Sequence, residues 1–426
     1  MKKLFTLVTL IFFSSLLLGQ TPFKDLDIKQ FKYADAKNRT LDLALNQAIE
    51  HYNAKYYQHT QAANYFYFDV SFNSRQFKNT RKIQHMSALF GDFNFYKAKT
   101  KVSSRPWEIE GNFAYNTQSR FYRENKFLEF GPEIGISFEK GKYLKLNVAV
   151  SLKKGRGRIE PVSDVYMVRW MLKDMEDSGV NLAVWTQDDV FEVANRLNVI
   201  NNYRIFDGRR QLKTQVKDIS MAIESKGMSS LEPFDLFGIV FDNYTRAFIG
   251  NRFEGSRHAF VARPFFDNRD NGNEQIDISN GYGVELFGEY FRSRNTSLNS
   301  QHSLEFQSGV GFYSTDANKY KFLYPFLQGK YEYSWYPNSR TTLSWHAKAQ
   351  FRYEENKLLN PYYITPSKSL IIGNVGLNTN YFVNFKTRVQ ANFSVSYNDS
   401  NSGYITSGSK ESFIFVTFIK FLHSIY

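Results

Sequence analysis

The sequence predicts a mainly β protein, an antiparallel transmembrane β-barrel of about 12–14 strands with an inserted α-helical subdomain. Three observations predict this fold class. Many segments alternate apolar and polar residues, the N-terminus has the pattern of an export signal, and residues 156–255 change to a helical period. An alternation with period two gives a strand one apolar face and one polar face.

The clearest strand is Thr387–Tyr397. Its alternate residues from Val389 to Tyr397 are apolar or aromatic, whereas those from Arg388 to Ser396 are polar. Its length matches the ~9–11 residues that a tilted strand needs to cross a bilayer. We therefore expect the apolar face to contact lipid and Arg388 to point into the lumen.

The composition agrees with a barrel and excludes several classes of site. The chain has 28 Tyr, 41 Phe and a mean hydropathy of −0.46, which suits spanning strands that are polar at every second residue. It has no cysteine, which excludes disulfides, thiolate metal sites, a cysteine nucleophile and a lipidated cysteine. The formal charge of +13 is spread along the chain, so we expect anionic solutes or acidic lipopolysaccharide as its counterpart, and no nucleic acid.

The N-terminus predicts export. Two lysines, the apolar run Leu4–Leu18 and Gly19 make residues 1–19 a cleavable signal peptide. An uncleaved helical anchor is the alternative, but the apolar run is shorter than the ~20 residues that a spanning helix needs. Residues 20–61 are expected to be an N-terminal periplasmic segment with a helix from Thr40 to about Tyr57, because apolar residues recur there at helical spacing.

The strands divide into two parts of one barrel. In residues 62–155 we predict Tyr65–Phe72, Leu89–Tyr96, Trp107–Tyr115, Leu128–Phe138 and Tyr143–Lys153. In residues 256–426 we predict His258–Phe266, Gly281–Phe291, His302–Tyr313, Tyr324–Trp335, Thr341–Tyr353, Leu370–Tyr381, Arg388–Tyr397 and Ser412–Phe421. Five strands before the insertion and eight after it conflict with the even strand number of bacterial barrels, so one strand is missed or overcounted.

Residues 156–255 are predicted to be a helical insertion. The helices are Asp164–Asp177, Gln187 to about Asn201 with Thr186 and Asp189 as a capping box, and Gln211–Lys226, while Glu232–Phe248 is ambiguous. Short connections near 336–339 and 382–386 alternate with longer ones, which places Ser256 on the periplasmic side if short turns are periplasmic. We expect a periplasmic insertion; an extracellular or plug-like, lumen-filling insertion stays open.

The C-terminal segment carries a family resemblance. Phe413, Phe415, Phe418, Phe421 and Tyr426 resemble the aromatic-ended last strand of outer-membrane β-barrel proteins. The resemblance implies that the barrel-assembly machinery recognises Phe421 and Tyr426, and that the protein lies in a bacterial outer membrane among lipids and lipopolysaccharide. The Gly19-Gln20 exit and the aromatic richness are similar to exported proteins of Gram-negative, Bacteroidetes-type bacteria.

The polar strand faces supply the candidate functional residues. Charges of both signs across a lumen create an ion-selective field, or else they form closed salt-bridge networks in a non-conducting barrel. The lumen-facing candidates are Lys145, Lys153, Glu285, Glu289, Glu305, His346, Lys348, Arg352 and Arg388. In the insertion, the candidates for docking to the barrel or to a partner are Arg204, Asp207, Arg209 and Arg210.

No motif predicts catalysis, a metal site or a cofactor. We find no pattern that joins a serine to His258, His302 or His346, and His51 and His59 are too sparse to be metal ligands. We expect a pore or transporter for small solutes with the insertion as plug or gate. The alternative is a non-conducting barrel that presents the insertion to a periplasmic protein partner; a barrel hydrolase is a weaker alternative.

Overall fold

The computed structural model of the protein describes residues 26–32, 35–56, 59–100, 108–140, 143–201, 208–227, 231–246, 252–270, 279–315, 321–357, 368–382, 387–402 and 410–423. These residues form one antiparallel sheet of fourteen strands and an insertion of four α-helices. The predicted mainly β fold with a helical insertion is therefore confirmed. The predicted signal peptide (1–19) and Tyr426 lie outside the described residues.

Each strand pairs with the strand that precedes it and the strand that follows it in sequence. Before the helices the strands are β1 (Ala36–Tyr56), β2 (His59–Asn79), β3 (Ile83–Thr100), β4 (Glu108–Arg123), β5 (Lys126–Glu139) and β6 (Tyr143–Pro161). After them they are β7 (Phe253–Asp270), β8 (Ser279–Ser297), β9 (Ser300–Thr315), β10 (Lys321–Asn338), β11 (Thr341–Lys357), β12 (Lys368–Phe382), β13 (Thr387–Ser402) and β14 (Lys410–His423).

The helix predicted from Thr40 to about Tyr57 is wrong, because the described part of this segment, up to Tyr56, belongs to strand β1. It pairs with β2 without interruption from Ala36 opposite Asn79 to Tyr56 opposite His59. This ladder of main-chain hydrogen bonds outweighs the helical propensity of the leucines, alanines and glutamine in the segment. Leu41, Leu43 and Leu45 also alternate with polar or small residues, so the period of two was present beside the helical spacing.

The same correction resolves the strand count. The strand missed by the sequence prediction is β1, so six strands precede the helices and eight follow them. The strands are also longer than predicted at both ends of the insertion. Residues up to Pro161 belong to β6 and residues from Phe253 belong to β7, so the helical insertion is shorter than 156–255.

The two ends of the sheet have different connections. At one end, which we call the short-turn end, every connection other than the helical insertion has at most four residues: 80–82, 124–125, 298–299, 339–340 and 383–386. The opposite end also has two short connections, 57–58 and 140–142, but its others are longer and include 101–107, 271–278, 358–367 and 403–409. Because β6 ends and β7 begins at the short-turn end, the helical insertion emerges there.

The insertion has a hydrophobic core of its own. Its helices are α1 (Ser163–Asp177), α2 (Gln187–Asn201), α3 (Gly208–Glu224) and α4 (Pro233–Arg246). The predicted apolar stripes are buried and pack together, with Met171, Leu197 and Ile223 fully inaccessible. The predicted capping box is confirmed: the Thr186 hydroxyl donates to Asp189 at 2.6 Å, and the Asp189 N–H donates back to that hydroxyl at 3.3 Å.

The ambiguous segment after Leu231 becomes helix α4. Pro233 is its first residue, as expected for a residue that lacks an N–H and has a fixed φ. Leu236 and Val240, four residues apart, are buried in the helical core, so packing on one face decides between helix and strand. Among the described residues, no helix is both long and apolar enough to cross a membrane.

The sheet is curled, with one concave face. In a flat sheet β3 and β6 would be about 14 Å apart, because neighbouring strands lie about 4.8 Å apart. The side chain of Gln84 on β3 nevertheless donates to the carbonyl of Ile159 on β6 at 3.0 Å. Arg158 on β6 similarly reaches the carbonyls of Thr80 and Arg81 in the β2–β3 turn, both at 2.8 Å. Strong curvature is therefore built into this half of the sheet.

The structure of β1 leads to a first testable prediction. Deletion of residues 36–56 removes the partner of β2 and leaves a 21-residue edge without its hydrogen bonds. We expect the variant to lose the folded state, as measured by circular dichroism and by the difference in gel mobility between unboiled and boiled samples.

The control for this deletion shortens the connection 358–367 by a few residues, which leaves every described strand intact. This control variant should fold like the unaltered chain, because loop length changes stability only weakly. Normal folding of the variant without β1 would contradict the assignment of residues 36–56 to the sheet.

Candidate functional site

The two faces of the sheet have inverted polarity compared with a water-soluble protein. On β5, Leu128 and Phe130 are 60% and 47% exposed, whereas Glu129 between them is 3% exposed. The same pattern places Leu152 outward and Lys153 inward on β6. We call the face of Glu129 and Lys153 the concave face and that of Leu128 and Leu152 the convex face. On these two strands the buried charges therefore lie on the concave face and the exposed apolar residues on the convex face.

Five charged residues form a buried ion-pair network on the concave face. Arg120 on β4 forms an ion pair with Glu129 on β5. The Lys153 Nζ on β6 lies 3.3 Å from Glu129 Oε1 and 2.9 Å from Glu289 Oε2 on β8. The Arg257 Nε on β7 lies 3.7 Å from Glu289 Oε1. The network therefore crosses five consecutive strands.

Its geometry follows from strand register. Arg120 stands opposite Glu129, and Glu129 stands opposite Lys153, so opposite charges are cross-strand neighbours. Such pairs stabilise a sheet, and these are also almost inaccessible to water, with both Glu side chains at most 9% exposed. Because an unpaired buried charge is costly, the five residues depend on one another.

A second group lies further from the short-turn end and lines a cavity of about 660 Å³. Arg263 on β7 bridges Glu133 on β5 and Glu285 on β8, at 2.8 Å and 3.1 Å. The hydroxyl of Tyr324 on β10 donates to Glu285 at 2.9 Å, and the Arg352 guanidinium lies 3.8 Å from the centre of the Tyr324 ring. The side chains of Arg263 and Glu133 are 32% and 40% exposed, so this group is more accessible to water than the ion-pair network.

At the short-turn end, Arg158 holds the end of β6 against the β2–β3 turn. It forms an ion pair with Glu160, donates to Asn79 at 3.0 Å and stacks over the Tyr122 ring. Gly157 has φ +93, and a Cβ there would be 2.1 Å from the Ser256 carbonyl oxygen. Only glycine fits this backbone, which leaves the regular alternation and lets Arg158 turn to the concave side.

The predicted lumen residues are brought together only in part. Lys153 and Glu289 belong to the buried ion-pair network, and Glu285 and Arg352 line the 660 Å³ cavity. His346 is hydrogen-bonded to Asn374 at 2.8 Å. The sheet also carries three half-buried candidates: Lys145, Glu305 and Lys348.

Other predicted residues have no described side chain. Arg388 lies on β13, Phe421 on β14, and Arg209 and Arg210 on α3, but the structure describes only their backbone. Arg204 and Asp207 lie outside the described residues. Their predicted roles as lumen, assembly-signal and docking residues stay predictions.

Sequence reasoning missed Arg120, Arg158, Arg257 and Arg263. Arg120 lies beyond the predicted end of β4, because that strand was ended at Tyr115. Arg257 precedes the predicted strand His258–Phe266, and Arg263 lies within it. Phe260 points outward, and both arginines are an odd number of residues from it, so alternation would have placed them on the concave face. The inward turn of Arg158 depends on the positive φ of Gly157, which periodicity does not reveal.

The insertion is attached to the sheet through a buried arginine. Arg252 precedes β7, is fully buried, and its guanidinium lies 4.0 Å from the Tyr166 ring centre on α1 and 3.7 Å from that of Tyr336 on β10. Both rings lie against the guanidinium and stabilise its positive charge. Burial lowers the pKa of Arg252 and raises that of Tyr166.

Further contacts extend this attachment. Leu298, in the β8–β9 turn, is fully buried in the helical core. Arg340, in the β10–β11 turn, lies 3.2 Å from Asp242 on α4. Phe31 packs against Phe191 on α2 with ring centres 5.3 Å apart, so the N-terminal segment also joins the helical core. In the described residues the insertion thus caps the short-turn end and rests on two turns of the sheet.

The histidines do not form a catalytic set in the described structure. His302 is hydrogen-bonded to Tyr331 at 2.7 Å. The His–Ser pair of His85 and Ser119, 2.8 Å apart, has no carboxylate hydrogen-bonded to the imidazole within the described chain. The described residues also contain no cluster of three or more metal-ligating side chains.

No protein-family model and no curated protein matches this chain.

The buried ion-pair network leads to a stability prediction. Glu129→Ala removes the carboxylate from Arg120 and Lys153 while both cations stay buried, so we expect the free energy of unfolding to fall by about 3–5 kcal/mol. Urea unfolding in detergent micelles measures the change. Glu176→Ala, at an exposed position on α1, is the matched control and should change the free energy by less than about 0.5 kcal/mol. Equal effects of the two substitutions would show that the network does not stabilise the fold.

A second prediction separates a buried contact from an exposed one. Arg252→Ala removes two desolvated cation–π contacts, each worth about 2 kcal/mol, and should speed hydrogen exchange in α1 by at least tenfold. Arg340→Ala removes an ion pair that is more than a third exposed on both sides and worth at most about 1 kcal/mol, so exchange should change less than about fivefold. Mass spectrometry of exchanged peptides measures both, and the reverse ranking would contradict the attachment described above.

Proposed function

We propose that the protein is an outer-membrane β-barrel whose lumen conducts small polar solutes and whose helical insertion gates the periplasmic end. The observation that carries this proposal is the inverted polarity of the sheet. A convex face of exposed apolar side chains is unfavourable in water and favourable against lipid hydrocarbon. Closure of the sheet through pairing of β1 with β14 is part of the proposal, since lipid excludes open strand edges.

The dimensions of the convex face support a membrane location. On β9 the outward residues Leu304, Phe306, Val310 and Phe312 are 37–44% exposed and cover nine positions of the strand, interrupted only by Ser308. At about 3.3 Å per residue and a tilt of about 40°, the distance from Leu304 to Phe312 gives a band about 20 Å high between backbone positions. The apolar band of transmembrane barrels is about 25 Å high, which this distance approaches.

Aromatic and basic residues lie at the edge of this band. Toward the short-turn end, Arg294, His302, Tyr333 and Trp345 are consecutive cross-strand neighbours on β8 to β11. The rings of Tyr333 and Trp345 are stacked with centres 5.7 Å apart. Aromatic and basic side chains of this kind favour the boundary between lipid and water.

The number of strands supports a water-filled lumen. Eight strands close around an interior that side chains can fill, whereas 16–18 strands leave an aqueous channel. Fourteen strands fall nearer to the second case, and the described concave face adds polar and charged groups that suit water and ions. Because short turns of such barrels face the periplasm, the insertion would lie on the periplasmic side, as the sequence predicts.

The contacts of the insertion favour a gate over a plug inside the lumen. Leu298 and Arg340 tie it to turns at the end of the sheet. Behind it, the buried ion-pair network occupies the concave face of β4–β8 and narrows this half of the lumen. A solute that passes would have to move through the part lined by β9–β14.

Conductance in planar bilayers tests the proposal. Replacement of residues 163–246 by a short Gly/Ser linker should produce a larger or more persistent conductance than the intact chain, because the cap is gone. Phe234→Ser, on the exposed surface of α4, is the control and should leave conductance unchanged. A deletion variant that keeps its heat-modifiable mobility and stays closed would contradict transport.

That closed outcome would favour the second candidate, a non-conducting barrel that presents the insertion to an envelope protein. One observation supports it: Phe234 and Val184 on the insertion are 82% and 64% exposed. Large apolar side chains that are exposed on the insertion gain free energy when a protein partner covers them.

A further inference from the structure

A row of basic residues crosses the convex face near the short-turn end. Arg123, Lys126, Arg156 and His258 are direct cross-strand neighbours on β4, β5, β6 and β7, and all four are exposed. None of them forms an ion pair with the described part of the chain. Like charges directly opposite one another destabilise strand pairing. The described part of the chain therefore supplies no anion that pairs with this row of basic residues.

An apolar groove adjoins this row on the side of the membrane band. The next row of cross-strand neighbours is Phe121, Leu128, Lys154, Phe260, Gly288 and Ser308. Gly288 and Ser308 leave a depression beside the aromatic side chains of Phe260 and Phe306, and the whole groove encloses about 1120 Å³. Lys154 adds a further positive charge where the two rows meet.

We propose that this groove binds one anionic phospholipid. Its phosphate lies on Arg123, Lys126 and Arg156, and an acyl chain lies along Leu128 and Phe260 in the depression at Gly288. The inference rests on the proposed function, because it needs the convex face to be in a bilayer.

The combination of charge and shape points to a lipid rather than to a free anion or a protein. A free phosphate would use the basic row but would leave the apolar groove exposed. The groove is continuous with the apolar band, and basic residues at the edge of a membrane protein attract anionic headgroups. Glu124, in the β4–β5 turn, lines the far side of the row and opposes binding there, so the headgroup is placed toward Lys126 and Arg156.

The headgroup contact is tested with the double variant Lys126→Gln/Arg156→Gln of the full chain. We expect binding of phosphatidylglycerol in detergent micelles, followed by native mass spectrometry, to weaken about 25-fold, as two basic residues contribute about fivefold each. Lys213→Gln/Lys217→Gln removes the same charge from exposed positions of α3 and should bind like the unaltered chain. Equal binding by the two double variants would overturn the proposal.

The acyl-chain contact is tested with Gly288→Phe. The nearest atom to a Cβ at Gly288 is the Ser308 carbonyl oxygen at 4.0 Å, so the backbone accepts a side chain there, and a phenyl ring at this position would occupy the groove. Gly373→Phe on β12 is the matched control, because its Cβ also has 4.0 Å of space. We expect Gly288→Phe to abolish phosphatidylglycerol binding and Gly373→Phe to preserve it.

Two further arms identify the ligand. Phosphatidylcholine should bind at least about tenfold more weakly than phosphatidylglycerol, because it has no net negative charge. An excess of sodium phosphate should not displace the lipid. Displacement by phosphate together with normal binding by Gly288→Phe would show a site for a free anion and overturn the lipid proposal.

The outcome also separates this inference from the proposed function. A protein that inserts into vesicles with heat-modifiable mobility but binds both lipids equally would remain a barrel without this site. A protein that does not insert would overturn both proposals.

Discussion

The structure depends on one constraint: charges that alternate with apolar residues must compensate one another on the concave face. Lys153 illustrates it, because its ammonium lies between the carboxylates of Glu129 and Glu289. If the apolar face contacts lipid, these charges have no route to bulk solvent except through the lumen. Because opposite charges are paired across neighbouring strands, a shift in strand register would also separate each charge from its partner.

The helical insertion also depends on the rest of the protein, because its hydrophobic core includes residues from other parts of the chain. Leu298 from a β-turn and Phe31 from the N-terminal segment are buried with the helices. Arg252 is held by one ring of the insertion and one ring of the sheet. We expect the buried arginine to contribute more than the exposed Arg340–Asp242 pair, since water screens the latter. The position of the cap is therefore decided mainly by aromatic and apolar contacts near the chain junction at Arg252.

Periodicity predicted most of the fold and less of the candidate site. The strands after the insertion and the first three helices were predicted because their periods of two and of about 3.6 are sustained. Strand β1 was missed because Leu41, Leu45 and Ala48 fit a helix as well as a strand, and only pairing with β2 decides. Partners within the site were not predictable, since contacts such as Arg263 with Glu133 depend on how tightly the sheet curls.

The end of β6 shows how closely the separate features are connected. Lys153 enters the concave network, Arg156 belongs to the convex basic row, and Arg158 holds the β2–β3 turn. Gly157, with its positive φ, is the point at which the alternation between the faces is broken. Only Ile159, Glu160, Pro161 and Val162 separate Arg158 from the first residue of α1. If the helical insertion moves about this junction, it pulls on a strand end that Arg158 already holds from the concave side. Arg156, the member of the basic row that precedes Gly157, faces outward at the same strand end.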